Sequence, residues 1–143
     1  MKLNEYLNES IENTKRIFVV IKPGFLNLSQ SIIEKYKNHG WNVERMITKQ
    51  LIPAEAKKLY AVHKKEDFYK DLCEYMSSDK TTGIIFKKIS KLNTDTFKEA
   101  GILKDEIRKE WGESDMRNVV HSSDSLEHMK EESSIYFNIL GLF

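Results

Sequence analysis

Arg16-Ile17-Phe18-Val19-Val20-Ile21-Lys22-Pro23-Gly24 is the stretch from which the rest of the chain can be ordered. Its middle is apolar at odd and even positions alike and rich in β-branched side chains. A strand with one face in water alternates, whereas one covered on both faces does not. The stretch predicts a central strand, and Pro23-Gly24 stops it.

Downstream, Leu28 to His39 sets Leu28, Ile32, Ile33 and Tyr36 on one side and Gln, Glu and Lys on the other. That spacing predicts a helix, with Ser29 as N-cap and Gly40 as the stop. Trp41 to Ile47 reads as a second strand. Pro53 to His63 and Asp67 to Ser77 are helical stretches joined near Lys65-Glu66. Thr81 to Lys87, with Gly83-Ile84-Ile85-Phe86 at its centre, is a third strand. Thr94 to Leu103 and a turn around Lys104 to Gly112 read as short and irregular. Asn118 to His121 is a brief fourth strand, and Asp124 to Phe137 a closing helix that an Asp/Ser cluster can cap. Upstream, Leu3, Leu7 and Ile11 recur at helical spacing, so residues 1–15 read as a peripheral extension to a single domain over 16–143. The order of elements fits the split βαβ plan. The expected fold class is α+β, a ferredoxin-like βαββαβ four-stranded antiparallel sheet covered by helices.

Composition narrows the function. In 143 residues, 40% are apolar and 31% charged, enough to bury a core and unlike a disordered chain. Lys plus Arg number 23 against 22 Asp plus Glu, a balance that gives no electrostatic footprint for nucleic acid or acidic lipid. Cys73 stands alone, which excludes an internal disulfide framework and suits a reducing, cytoplasmic compartment. The longest apolar run is far below the ~20 residues of a membrane helix.

The chemistry concentrates in Arg117-Asn118-Val119-Val120-His121-Ser122-Ser123-Asp124-Ser125. A histidine ends an apolar strand, and small polar residues then open a helix. Imidazole can be an uncharged nucleophile near neutral pH, and the free N–H groups of a helix start suit phosphate. On these residues alone, a phosphate-facing histidine and a satisfied histidine at a strand end are both open.

The pattern Asn118-x-x-His121-x-Ser123-Asp124-Ser125 resembles the active-site signature of nucleoside diphosphate kinases, which usually reads N-x-x-H-G-S-D-S; Ser122 stands where glycine is typical. The resemblance extends along the chain. Val20-Ile21-Lys22-Pro23 looks like the family's first strand with its lysine. Leu59-Tyr60 followed by Phe68 and Leu72 matches its helical hairpin. Arg108 lies thirteen residues before His121, as the family's T-I-R arginine does, and Glu132, Ile135 and Phe137 fall on its closing helix.

The resemblance implies a ping-pong transfer in which the γ-phosphoryl of a triphosphate such as ATP passes to His121 and then to an acceptor diphosphate. It implies that Glu132 orients the imidazole, that Lys22 and Arg108 meet phosphoryl charge, and that the Tyr60 hydroxyl donates beside His121. Asn118 would bind the sugar hydroxyl and Phe68 would stack on the base with Leu72 alongside, a mode tolerant of every base. The implied cofactor is Mg2+, held mainly by the nucleotide phosphates, with Asp124 reaching it through water. The implied assembly is a dimer-based homo-oligomer, with a hexamer as the larger form. Read singly, Lys22 is a solvated strand end, Phe68 and Leu72 are core, and Arg108 belongs to a charged turn; their joint spacing is what sets those readings aside. His39, His63 and His128 match no site position and read as surface.

Four departures stand out. Gly24 replaces an aspartate, and Leu59 replaces a common histidine. The segment between Phe97 and Arg108 is several residues short, where the family's loop usually supplies a phosphate-contacting threonine. The arginine expected before that loop is absent, and since Phe97-Lys98-Glu99 resembles the family's W/F-R-E, Lys98 is the candidate substitute. The chain closes on the apolar tail Ile139 to Phe143, which suggests packing on the body or on another subunit. The shortened segment predicts turnover below that of a full-loop enzyme. It also keeps open an alternative, a weakly active or inactive relative serving as a nucleotide- or protein-binding module. A ferredoxin-like nucleic-acid binder is disfavoured by the balanced charge and the missing RNP-type aromatic motif.

Overall fold

The computed structural model describes residues 14–90 and 95–143. Strand β1 (Thr14–Ile21) is followed by helix α1 (Ser29–Lys37), β2 (Asn42–Gln50), α2 (Pro53–Leu59), α3 (Tyr69–Met76), β3 (Lys80–Ile89), α4 (Thr96–Trp111), β4 (Val120–Ser122) and α5 (Leu126–Ser133). The sheet order is β2-β3-β1-β4, antiparallel throughout. This is the ferredoxin-like arrangement expected from the sequence. The expectation for residues 1–13 lies outside the described residues, while Thr14 and Lys15 open β1.

The central run behaves as its composition demands. Ile17, Val19 and Ile21 join Ile84, Phe86, Tyr36 and Trp41 in one apolar layer, which α1 and α4 cover. Phe18, Val20 and Ile85 face the opposite layer, with Leu59, Leu72, Met76, Met129 and Tyr136 from α2, α3, α5 and the chain end. At about 25 cal/mol per Å2 of apolar surface, burial on both faces holds β1 against any shift in register.

Several boundaries differ from expectation. Ser29 is the first residue of α1 and not its cap; its hydroxyl donates to the Leu26 carbonyl. Trp41 precedes β2, fully buried, its indole N–H 3.0 Å from Glu99 Oε1. β2 runs on to Gln50, carrying a bulge between Val43 and Arg45, with Thr48 and Thr82 hydroxyls 2.8 Å apart across the pair. The closing helix is shorter than expected, Leu126–Ser133, capped by the Ser125 hydroxyl, which accepts from His128 N–H.

The largest correction is α4. Residues read as an irregular piece and a turn form one sixteen-residue helix, opened by the Asp95 carboxylate accepting from the Phe97 and Lys98 N–H groups. Ala100, Leu103 and Ile107 recur at helical spacing and are buried against the first layer. Gly101 within the helix faces open space, and the buried stripe outweighs its conformational cost. Among the described residues no helix is long and apolar enough to cross a membrane.

Candidate active site

Strand β4 is short, and where it ends the two layers open onto one cavity of about 600 Å3. Its walls carry Lys22 from the end of β1, Tyr60, His63 and Phe68 from the α2–α3 region, Arg108 from α4, and Asn118 and His121 around β4. Leu72, Asp124 and Glu132 also line it. Eight of the nine residues singled out from sequence for catalysis or nucleotide binding therefore converge here, with Asp124 beside them.

His121 pairs with Val20, and alternation turns its ring toward the second layer. There its Nε2 contacts Glu132 Oε1, and the Tyr60 ring stands edge-on at 5.1 Å between centroids. The histidine side chain keeps 14% exposure and the glutamate 8%, so the ring is enclosed yet reachable from the cavity. Burial lowers the imidazole pKa below its ordinary value; the Glu132 hydrogen bond opposes this, while Lys22 and Arg108 assist it. The outcome is a neutral ring with Nε2 committed to Glu132, which leaves Nδ1 to the cavity.

Asn118 and His121 owe their placement to a strained link. Val119 has φ of 78°, and the Val120 N–H donates to the Asn118 carbonyl at 3.0 Å across it, closing a γ-turn. A β-branched residue rarely adopts that conformation, at a cost of about 1–3 kcal/mol. It is held by the Lys22 N–H donating to the Val119 carbonyl at 2.9 Å and by complete burial of the Val119 side chain. The turn lets adjacent residues serve different purposes. Asn118 donates through Nδ2 to the Asp115 carbonyl at 2.8 Å, and its Oδ1 is buried without a partner.

The cationic groups are anchored in the same way. Lys22 is 2% exposed, its Nζ 3.3 Å from the Met116 carbonyl and 5.7 Å from the centre of the Tyr60 ring. Burial, then the charges of Arg108 and Lys104, bring its pKa down to about 7. Arg108 donates Nε and Nη2 to the Val120 carbonyl at 3.2 and 2.9 Å, which fixes the guanidinium and leaves Nη1 unspent. The Tyr60 hydroxyl is buried without a partner, and burial raises its pKa well above the ordinary value, so it remains a donor. At the mouth, Phe68 is 46% exposed and 5.5 Å from the His63 ring. Gly24, at φ 90°, ends the turn after Lys22 in a conformation that L side chains rarely adopt, so any side chain there would be strained.

Three sequence readings need amendment. Lys98 does not line the cavity. It sits in the first turn of α4, about 9 Å along the axis and some 240° round from Lys104, which does. His63 and His128 read as surface but line the cavity, whereas His39 is exposed as expected. His128 Nδ1 lies 2.6 Å from Asp124 Oδ1; that hydrogen bond raises the histidine pKa and lowers the aspartate's. The signal was available in the spacing, since Asp124, His128 and Glu132 recur every four residues on one helical face.

An α+β sandwich whose sheet edge holds an oriented neutral histidine among buried and half-buried cations has the chemistry that suits a phosphorylated ligand. The nucleoside diphosphate kinase family model matches residues 15–140. A nucleoside diphosphate kinase of Geobacter sulfurreducens is 32% identical over 139 residues, spanning 90% of this chain and 98% of that protein. Among solved structures, the Aquifex aeolicus nucleoside diphosphate kinase superposes with a TM-score of 0.73 at 23% identity, over 89% of this chain and 97% of that one. The Encephalitozoon cuniculi enzyme gives 0.76 at 19% identity, over 86% and 88%. At such identities the two structures speak for the fold. The chain belongs to the nucleoside diphosphate kinase family, and it is a kinase by that membership.

Proposed function

We propose that this protein transfers the γ-phosphoryl group of a nucleoside triphosphate to a nucleoside diphosphate by a ping-pong route through His121. The observation that carries the proposal is the His121–Glu132 contact, which commits Nε2 and leaves Nδ1 among Lys22, Arg108 and Tyr60. The Nδ1 lone pair attacks the γ-phosphorus while the bond to the β–γ bridging oxygen breaks. The diphosphate leaves with that electron pair, and a P–N bond remains. A β-phosphate oxygen of a second diphosphate then attacks the same phosphorus and expels the imidazole. Splitting the transfer keeps two polyanions from meeting in one step.

The other residues serve charge and position. Glu132 holds the ring and balances the positive charge it acquires while phosphorylated. Lys22, with a pKa of about 7, becomes fully charged when phosphate approaches, and Arg108 and the Tyr60 hydroxyl face the phosphoryl oxygens. Asn118 Oδ1 is an acceptor suited to a sugar hydroxyl. Phe68 and Leu72 offer a stacking surface that reads no base edge, so every common base is accepted. Mg2+ fits the donor set only as a passenger on the phosphates. Among the described residues no group of three His, Cys, Asp or Glu side chains could hold a metal, while Asp124 offers a hard oxygen reachable through water. Bound there, the ion would neutralise phosphate charge. A cytoplasmic location and a dimer-based homo-oligomer, up to a hexamer, belong to the same reading. The open edge of β2, with exposed Met46 and Ile47, supports self-association, and a monomer by sedimentation at micromolar concentration would refute it.

Phosphoenzyme formation tests the proposal. Protein mixed with Mg2+ and γ-labelled ATP should acquire acid-labile label that moves to GTP when unlabelled GDP is added. His121→Ala should acquire none and lose at least ~10^3-fold in turnover. Failure of the wild type to label while still binding ADP would replace this reading with the binding-module one.

A further inference from the structure

The segment that the sequence shows as shortened is occupied by an uninterrupted helix, and its orientation is fixed. Ala100, Leu103 and Ile107 seat α4 on the first layer. Lys104 and Arg108 flank that stripe one turn apart, and both reach the cavity.

The two cations are held differently. Arg108 is tied to the Val120 carbonyl. Lys104 is half-buried and has no hydrogen-bond or ion-pair partner among the described residues. Its charge instead acts on Lys22, a like charge. The acidic groups of the same wall do not offset it. Glu132 is engaged by His121 and Asp124 by His128, which leaves Asp115 against three cations. Half-buried like charges that face one another repel, and an anion of several charges relieves that repulsion.

Relative position narrows the role. Arg108 is tied to the Val120 carbonyl, the residue before His121, whereas Lys104 lies one turn earlier on α4. Lys104 thus enters the cavity from the turn beyond the cation anchored beside His121.

We propose that Lys104 binds the phosphates that are not transferred, doing from the face of a helix what a longer segment between Phe97 and Arg108 would do from a loop. This rests on the kinase reading above. Lys98, the substitute suggested by sequence, has no part in it.

Titration calorimetry and rapid-quench phosphorylation on the full-length protein, with Mg2+ present, test the proposal. The variants are Lys104→Ala, Lys104→Arg and, as a control outside the cavity, Lys37→Ala. Lys104→Ala should weaken ADP binding roughly 10-fold, the scale of one lost charge-assisted contact, and leave adenosine binding within about 2-fold. Its phosphorylation rate at saturating ATP should stay within about 3-fold of wild type, a KM effect with little kcat effect. Lys104→Arg should restore ADP affinity, and Lys37→Ala should match wild type throughout. Unchanged ADP affinity in Lys104→Ala overturns the proposal, and so does an equal loss for adenosine, which would report damage to the cavity. A large drop in the saturated rate with intact affinity overturns the assignment to non-transferred phosphates. A wild type that binds ADP but never labels would sink the kinase reading alone, because the ADP-against-adenosine comparison would still be readable.

Discussion

The two layers on either side of the sheet are built from the same strands and serve different ends. The layer under α1 and α4 is closed and largely apolar; Tyr36 and Phe86 stack at 4.4 Å, Trp41 fills the space beside them, and the buried Tyr36 hydroxyl is without a partner. The layer under α2, α3 and α5 is threaded with polar atoms. The Thr81 and Tyr136 hydroxyls meet at 2.6 Å, Ser133 and Glu132 are buried, and the Tyr60 hydroxyl has no partner. Burying such groups costs free energy that apolar packing would not. The contrast suggests that stability is concentrated in the first layer and chemistry in the second, with His121 turned toward the second by alternation along β4.

Three substitutions press on that division. The largest effect should come from Phe86→Ala in the closed layer, about 3–5 kcal/mol of stability by denaturant unfolding, with the folded fraction keeping its specific activity. Activity lost beyond the folded fraction would break the division. Next, Glu132→Gln should lower turnover roughly 10- to 100-fold, the scale for removing a carboxylate that orients a functional histidine. Since Glu132 raises the His121 pKa, its loss should also move the acid limb of the pH–rate profile to lower pH. An acid limb that stays put would mean the contact does not tune the ring.

The smallest effect is on stability and has the opposite sign. The Lys22 pKa falls from 10.5 to about 7 on folding, so the unfolded chain holds its proton through the pH window where the folded one releases it. The cost of the buried lysine is complete below about pH 7 and fades as pH climbs toward 10.5. Lys22→Met should therefore be more stable than wild type, on the order of 2 kcal/mol at pH 6.5, with the gap closing by pH 10, while turnover collapses. Equal stability at pH 6.5 would show that the lysine is better solvated than its 2% exposure implies.

Much of this could be read from the chain, and the exceptions share a cause. The run Ile17 to Ile21 announced a strand covered on both sides, and the spacing from Lys22 to Glu132 picked out residues that the fold brings to one cavity. α4 was missed because residues 94 to 112 were read as two short irregular pieces, although Ala100, Leu103, Ile107 and Trp111 already carried a helical period. Lys98 was named for a missing arginine, not for its place on a helix. Without a continuous helix, nothing in the sequence says which lysine faces inward, and Lys104 is selected only once the apolar stripe fixes the rotation. His63 and His128 were missed for a related reason, since exposure on an isolated helix says nothing of a cavity that three other elements enclose. Val119 could not have been foreseen, because a positive φ at a β-branched residue contradicts its local preference and is imposed by the packing around it.

The seating of the aromatic residues has an optical consequence. Trp41 is sealed in the closed layer, and Trp111, the other tryptophan of the chain, packs beside that layer with Lys35 Nζ 5.2 Å from its ring. Neither indole lines the cavity, where the aromatic rings belong to Tyr60, Phe68 and three histidines. Indole emission will therefore follow unfolding of the closed layer and be nearly silent to nucleotide, so ligand occupancy has to be watched with a labelled nucleotide or by heat.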